Sequence, residues 1–266
     1  MEARTIVTGS LEQTVALVTG AGGGIGSAIC VALAEAGATV IGADLPTIPA
    51  GRCPPSDWLE LDVTRPESWD AGVAAIRARH GRLDILVNNA GIDRVERFED
   101  MTLESWRLTQ AVNSDGVFLG MQKALPLLKE SGPKRRGGAS IINMSSIAGL
   151  VGADFNVAYC ASKGAVRLMT KAVAVEFSAL GYKVRVNSVH PGGVNTGMVD
   201  SIFQAYVDLG VIDSAKTAYD LSSAAHLLRR MAEPAEIAAG VRFLASDDAS
   251  FMHGSELVLD GGYTAR

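Results

Sequence analysis

Thr14-Val-Ala-Leu-Val-Thr19 runs straight into Gly20-Ala-Gly-Gly-Gly-Ile-Gly26. The first six residues make a short continuous apolar run, the pattern of a strand buried on both faces. Beyond the glycines, apolar residues recur at Ile25, Ala28, Ile29, Ala32, Leu33 and Ala36, which is helical periodicity. Gly37 ends that helix, and Ala38 to Ala43 reads as a second strand. Strand, glycine turn, helix and strand form one βαβ unit, whose two strands lie parallel in one sheet.

The same alternation extends along the chain. Trp58 to Leu61 reads as a short strand, and a helix follows from near Pro66 to near Gly81. Leu83 to Val87 is a buried strand closed by Asn88-Asn89-Ala90-Gly91. A long helical region is expected from about Leu103 to Lys129, bent or tightened at Pro126. Ala139 to Met144 is a strand, Ala158 to Leu180 a helix and Val184 to Val189 a strand ending at His190-Pro191-Gly192-Gly193. Pro234 to Leu244 is helical, and Leu257 to Leu259 is a last strand. Seven strand-like runs separated by helices predict a single α/β domain. Its architecture is a Rossmann-type, doubly wound, parallel seven-stranded sheet with helices on both faces. Residues 1–13 form an N-terminal extension. Residues 195–231 interrupt the alternation, and a segment of that length reads as a lid over a ligand site.

Composition narrows the function classes. The chain has 266 residues, is 48% hydrophobic and carries a net charge of -5, so it has a core-forming composition and no nucleic-acid footprint. Lys134-Arg135-Arg136, among Gly and Pro, reads as a solvated basic loop. Cys30, Cys53 and Cys160 are widely spaced and odd in number, and the four histidines show no ligand spacing, so neither a disulfide framework nor a metal is expected. Residues 1–13 lack an apolar run of signal-peptide length and no stretch reaches membrane-spanning length. The expectation is a cytoplasmic chain with neither nucleic-acid nor membrane partners.

The first chemical signal is Thr19-Gly20-x-x-x-Gly24-x-Gly26 between a strand and a helix. Small residues let the backbone approach a pyrophosphate, and the helix N-terminus supplies N–H groups and partial positive charge. A glycine-rich structural turn is the plainer alternative, and the flanking strand and helix weigh against it. Asp44 at the end of the second strand can accept hydrogen bonds from the adenosine ribose hydroxyls and repel a 2′-phosphate. No Arg or Lys lies in the glycine turn or directly after Asp44. NAD is therefore expected rather than NADP, with Ile25, Leu45 and Val63 as neighbours lining its site. Asp62 either holds the adenine edge or caps the next helix.

The second signal is Tyr159-x-x-x-Lys163. Residues four apart share a helix face, so the ammonium would lie near the phenol. A phenol with a pKa near ~10 is a poor base at neutral pH, and a neighbouring cation lowers that value. Alone, this pair is a common coincidence of helical spacing.

Together, the glycine turn, Asn88-Asn89-Ala90-Gly91, Asn113, Ser146, Tyr159-x-x-x-Lys163 and Pro191-Gly192 resemble the short-chain dehydrogenase/reductase superfamily, in its order and from about Thr14 to Gly262. The resemblance implies that Tyr159 is the general acid/base for hydride transfer between an alcohol and the nicotinamide. It implies that Ser146 stabilises the substrate oxygen, and that Ser145 beside it does not serve. Lys163 would lower the tyrosine pKa and hold the nicotinamide ribose. Asn113 resembles the asparagine that anchors a water chain to the lysine, and equally fits a buried structural amide. Asn89, Ala90 and Gly91 would lie under the adenosine ribose. Pro191, Gly192, Val194 and Thr196 would fix the nicotinamide carboxamide.

For the substrate, Met198, Ile202 and Tyr206 fit one helical face of residues 195–231, joined by Val199, Phe203, Phe155, Val151 and Ile92. That face either lines a pocket or packs on the core. No Arg or Lys lies between Asn195 and Lys216, which favours an uncharged hydrophobic alcohol or ketone. Gly181-Tyr182-Lys183-Val184-Arg185-Val186-Asn187-Ser188-Val189-His190-Pro191 resembles bacterial hydroxysteroid dehydrogenases. Phe243 to Asp247 and Gly254 to Leu257 resemble these and the cyclic-alcohol dehydrogenases. The expected activity is NAD-dependent interconversion of a secondary alcohol and a ketone, on a hydroxysteroid or another bulky cyclic alcohol. The alternatives are a ketoreductase of the 3-oxoacyl-carrier-protein type and a non-catalytic NAD-sensing protein. Resemblance also implies a homo-oligomer, dimer or tetramer, built on the helices around Leu103 to Lys129 and Ala158 to Leu180.

Overall fold

The computed structural model describes residues 10–48 and 57–265. Cys53 and the first nine residues of the expected N-terminal extension lie outside them. Strands β1 (Val15–Thr19), β2 (Thr39–Asp44), β3 (Trp58–Glu60), β4 (Ile85–Asn88), β5 (Ala139–Met144), β6 (Val184–Pro191) and β7 (Glu256–Leu259) form one sheet in the order β3-β2-β1-β4-β5-β6-β7. Each neighbouring pair is parallel. Every residue of β1, β4, β5 and β6 is buried, which is why these strands read as continuous apolar runs, while the edge strands β3 and β7 are only partly covered.

Alternate residues serve opposite faces, as the pleat requires. Val15 and Leu17 of β1 pack with Trp69 and Ile76 of α2 (Pro66–His80), Met121 and Leu128 of α4 (Gly116–Ser131) and Phe177 of α5 (Val157–Ala179). Ala16 and Val18 pack with Ile29 and Leu33 of α1 (Gly24–Glu35) and Val241 and Leu244 of α8 (Pro234–Ala245). The sheet is thus wound on both sides. Its strand order reverses between β1 and β4, and their carboxyl ends open a crevice there.

The structure differs from the sequence expectation in three places. The expected long helix is divided into α3 (Leu103–Gln110), a π-helical turn at Ala111–Asp115 and α4. Pro126 is accommodated inside α4, so the interruption is the widened turn, which carries Asn113. Arg135 is not a solvated loop residue: its side chain is 7% exposed and donates to the Ala245 carbonyl at 2.8 Å, leaving Lys134 and Arg136 exposed. Residues 195–231 form a helical hairpin, α6 (Gly197–Asp208) and α7 (Ala215–Ala225). The hairpin holds because Phe203, Ala218 and Met231 form a small core of their own, and because the Ser214 hydroxyl caps α7 by accepting from the Thr217 N–H at 3.1 Å. No helix among the described residues is long and apolar enough to cross a membrane.

Candidate active site

A cleft of about 1670 Å³ opens over the carboxyl ends of β1, β4, β5 and β6. That exceeds the ~300–1,000 Å³ of an ordinary single-ligand pocket and leaves room for two ligands together. All the expected cofactor and substrate residues line it, from Gly20 through Asp44, Asp62 and Gly91 to Thr196 and Tyr206. Of the apolar candidates, Val151 does not; it is exposed on the surface.

The glycine turn is built for close backbone approach. Gly20 has a φ of +65°, a conformation that glycine adopts without strain. A Cβ at Gly26 would collide with the Gly20 carbonyl oxygen, and one at Gly24 would stand 2.8 Å from the Thr196 methyl across the cleft. Asn89 ties the turn to β4 by donating from Nδ2 to the Thr19 and Gly20 carbonyls at 3.0 and 3.1 Å. The Thr19 hydroxyl in return accepts from the Asn89 and Ala90 N–H groups. Among the described residues no side chain caps α1 and its first turn holds no acid, an arrangement that suits an anion at its N-terminal N–H groups. The Asp44 carboxylate closes the far end, accepting from the Gly22 and Leu45 N–H groups, each at 2.9 Å. Asp62 caps its own turn: Oδ1 accepts from the Thr64 N–H at 2.9 Å and the Thr64 hydroxyl at 2.7 Å. The cradle fits the pyrophosphate and ribose of a nicotinamide dinucleotide.

At the other end, β5 delivers Ser145 and Ser146, and α5 delivers Tyr159 and Lys163. The Ser145 hydroxyl donates to the Lys163 carbonyl at 2.9 Å. The Ser146 hydroxyl accepts from the Ala148 N–H at 3.1 Å and lies beside the Tyr159 phenol, and both serines line the cleft. The Lys163 ammonium donates to the Met144 carbonyl at 2.9 Å and lies 5.4 Å from the centre of the Tyr159 ring. The expected lowering of the tyrosine pKa is absent here. Burial pushes the Tyr159 phenol above its ordinary value and the charge of Asp93 adds to this, against the opposing bond to Ser146. Burial also pulls the Lys163 ammonium down, to about 8, against the attraction of Asp93.

Asn113 is fully buried in the π-helical turn. Its side chain accepts from the Ile92 N–H and donates to the Ile92 carbonyl, each at 2.9 Å, and donates to the Ser162 hydroxyl at 3.0 Å. Both backbone groups of Ile92 are therefore held, and with them the start of the loop after β4 that carries Asp93.

The hairpin α6–α7 covers this end of the cleft. The Tyr206 hydroxyl donates to the Asp154 carbonyl at 3.3 Å and accepts from Asn156 Nδ2 at 3.4 Å. The Tyr206 ring meets Phe155 edge-on at 6.1 Å. Phe155 has a φ of +60°, an uncommon conformation for a bulky residue. Ile202 and Tyr206 pack on the hairpin's own core and also line the cleft, so both readings of that helix face hold; Met198 is more exposed.

Two further residues were not read from the sequence. His226, after α7, accepts from the Gly193 N–H at 3.0 Å through Nε2 and faces the Ser222 carbonyl at 2.7 Å through Nδ1. It thereby ties the hairpin to the Pro191–Thr196 segment. Asp93 lines the cleft with a buried carboxylate oxygen. Its only sequence signal is an acid two positions after Asn89-Ala90-Gly91.

Comparisons with known proteins agree with this geometry. Residues 20–264 match the family described as Enoyl-(Acyl carrier protein) reductase. Cyclopentanol dehydrogenase of Comamonas sp. (strain NCIMB 9872) is 41% identical, covering 97% of this chain and 99% of that one. The 3-alpha-(or 20-beta)-hydroxysteroid dehydrogenase of Mycobacterium tuberculosis (strain ATCC 25618 / H37Rv) is 39% identical, covering 97% and 92%. Among solved structures, the ligand-free aldohexose dehydrogenase of Thermoplasma acidophilum superposes with a TM-score of 0.85 at 31% identity, covering 96% of this chain and 95% of that one. With the phosphate cradle, the serine–tyrosine–lysine group and near full-length similarity in agreement, the chain belongs to the short-chain dehydrogenase/reductase family.

Proposed function

We propose that the chain is an NAD-dependent oxidoreductase that interconverts a secondary alcohol and a ketone, acting on a hydroxysteroid or another bulky cyclic alcohol. The observation that carries this reading is the convergence of Ser146, Tyr159 and Lys163 on one cleft with the glycine cradle. The nicotinamide supplies the hydride acceptor or donor. Tyr159 removes the hydroxyl proton, and the Ser146 hydroxyl stabilises charge developing on the substrate oxygen. Lys163 holds the nicotinamide ribose and, when charged, opposes the burial that raises the Tyr159 pKa. Asn113 keeps Ile92 in place and anchors the water path that returns the proton to solvent. Gly91, Pro191, Gly192, Val194 and Thr196 orient the two ends of the cofactor.

Asp44 supports NAD over NADP: its carboxylate stands at the ribose end of the cradle, where a 2′-phosphate would be repelled. The relatives' names, a cyclopentanol and a hydroxysteroid dehydrogenase, support a cyclic alcohol. The hairpin over residues 195–231 serves as the substrate lid, with Phe155, Met198, Ile202 and Tyr206 against the substrate. Leu168 and Val175, 68% and 72% exposed on α5, support burial of that helix in a homo-oligomer. Size-exclusion chromatography with light scattering checks the assembly, and a monomer at micromolar concentration would count against it. The cytoplasm is the compartment this cofactor chemistry suits.

The test is an NAD⁺ reduction screen over cyclic, steroid, aromatic and aliphatic secondary alcohols, repeated with Tyr159→Phe. The variant should bind NADH and lose at least ~10²-fold in turnover. Undiminished turnover in Tyr159→Phe would exclude the proton-transfer role.

A further inference from the structure

Asp93 is a half-buried charge in this cleft for which the reaction above has no use. It lines the same space as Ser146, Tyr159, Phe155 and Tyr206. Its Oδ1 is buried and has no hydrogen-bond partner among the described residues. Its backbone is fixed, because Asn113 grips the preceding residue through both main-chain groups. The loop it begins is anchored further on, where the Glu96 N–H donates to the Phe155 carbonyl at 2.9 Å. Asp93 is therefore a rigidly presented acceptor at the substrate end of the cleft.

A carboxylate oxygen without a partner is costly away from water, and such groups in folded proteins call for a functional explanation. Burial pushes the Asp93 carboxyl up to about 6, opposed by the Lys163 ammonium and by a bond from the Arg94 backbone. Lys163, Tyr159 and Tyr206, which line the same cleft, feel its charge. The Lys163 ammonium points one N–H at the Met144 carbonyl, so it does not serve Asp93 alone.

We propose that Asp93 accepts a hydrogen bond from a second hydroxyl of the substrate, so that the alcohol oxidised at Tyr159 is one hydroxyl of a cyclic diol. The inference rests on the dehydrogenase reading of the site and deepens it. The chemistry of the occupant follows from the neighbours. An anionic substituent is repelled by the carboxylate. A cationic one is repelled by Lys163. A neutral donor satisfies Oδ1 and leaves Lys163 undisturbed, and a hydroxyl is the donor that keeps the remainder of the ring compatible with Ile92, Phe155 and Ile202.

A site built around such an acceptor rejects the analogue that lacks the hydroxyl, because its own polar atom is then left unpaired. The experiment compares NAD⁺ reduction on cyclohexanol and on the cis and trans isomers of cyclohexane-1,2-, 1,3- and 1,4-diol, reading the ratio of kcat/KM for the best diol to that for cyclohexanol. In the wild-type protein that ratio should be ~10 to 100, the range for a hydrogen bond to a charged acceptor. Asp93→Ala should bring it to near one. Asp93→Asn, which keeps an acceptor oxygen in place, should retain an intermediate ratio. A wild-type ratio near one overturns the proposal without any variant having to fold. So does Asp93→Ala losing both substrates in equal proportion, which makes Asp93 a support for Lys163 instead. These outcomes leave the dehydrogenase reading standing. Failure of the wild-type protein to oxidise any alcohol in the wider screen, with NAD⁺ or NADP⁺, overturns that reading and this inference with it.

Discussion

Replacing Asp93 with Asn should stabilise the protein, and by an amount that depends on pH. Burial raises the Asp93 carboxyl from 3.8 to about 6. At about 1.4 kcal/mol per pKa unit, holding this group ionised in the folded protein costs up to about 3 kcal/mol. The sign follows from proton counting. Between pH 4 and 6 the folded state keeps a proton on Asp93 that the unfolded chain has already released. Wild-type stability therefore falls as pH rises through that window and levels off above it. An amide of the same shape carries no charge to desolvate. The stability difference between Asp93→Asn and wild type should be about 1.5 kcal/mol at pH 5 and approach about 3 kcal/mol by pH 7. Urea unfolding of both proteins at pH 5, 6, 7 and 8, with equal slopes, measures it. A difference that stays flat from pH 5 to 7, or an Asn variant less stable than wild type at pH 7, would refute the claim that Asp93 is a desolvated and poorly compensated carboxylate.

Four other substitutions probe the site. Gly26→Ala places a methyl against the Gly20 carbonyl and should weaken NADH binding at least ~10-fold in a fluorescence titration. Asp44→Ala removes the acceptor of two backbone N–H groups and the charge that faces a 2′-phosphate. The preference for NAD⁺ over NADP⁺ in kcat/KM should shrink by ~10-fold or more, and an unchanged preference would remove Asp44 as the discriminator. Asn113→Ala leaves both main-chain groups of Ile92 without their side-chain partner. It should cost about 2–4 kcal/mol in urea unfolding and lower kcat as well. Tyr206→Phe deletes a hydroxyl whose bonds are long, 3.3 and 3.4 Å. KM for the alcohol should rise about 2- to 10-fold with little change in the melting temperature.

The sequence by itself determined the winding of the fold and singled out the candidate reacting groups. Thr14 to Gly26 announces a buried strand, a phosphate turn and a helix because each has a local signature: continuous apolar residues, glycines where a Cβ cannot fit, and a 3.6-residue period. Tyr159 and Lys163 could be paired without a structure because helical spacing alone puts them on one face. The helix face of Met198, Ile202 and Tyr206 was legible for the same reason, whereas α7 was not, since its stability comes from Phe203 and Met231 packing on Ala218 across the hairpin. The break at Ala111–Asp115 also escaped the sequence, where Pro126 was the more obvious irregularity. Only the tertiary structure decided which charges are desolvated. Arg135 reads as solvated until its guanidinium is found on the Ala245 carbonyl, and Tyr159 reads as lowered by Lys163 until burial is found to push its phenol up. In sequence Asp93 is marked only as an acid two positions after Asn89-Ala90-Gly91. It becomes a candidate for substrate recognition because Asn113 holds the residue before it, Phe155 and Lys163 from two other segments line the same cleft, and solvation is set by what surrounds a group in space.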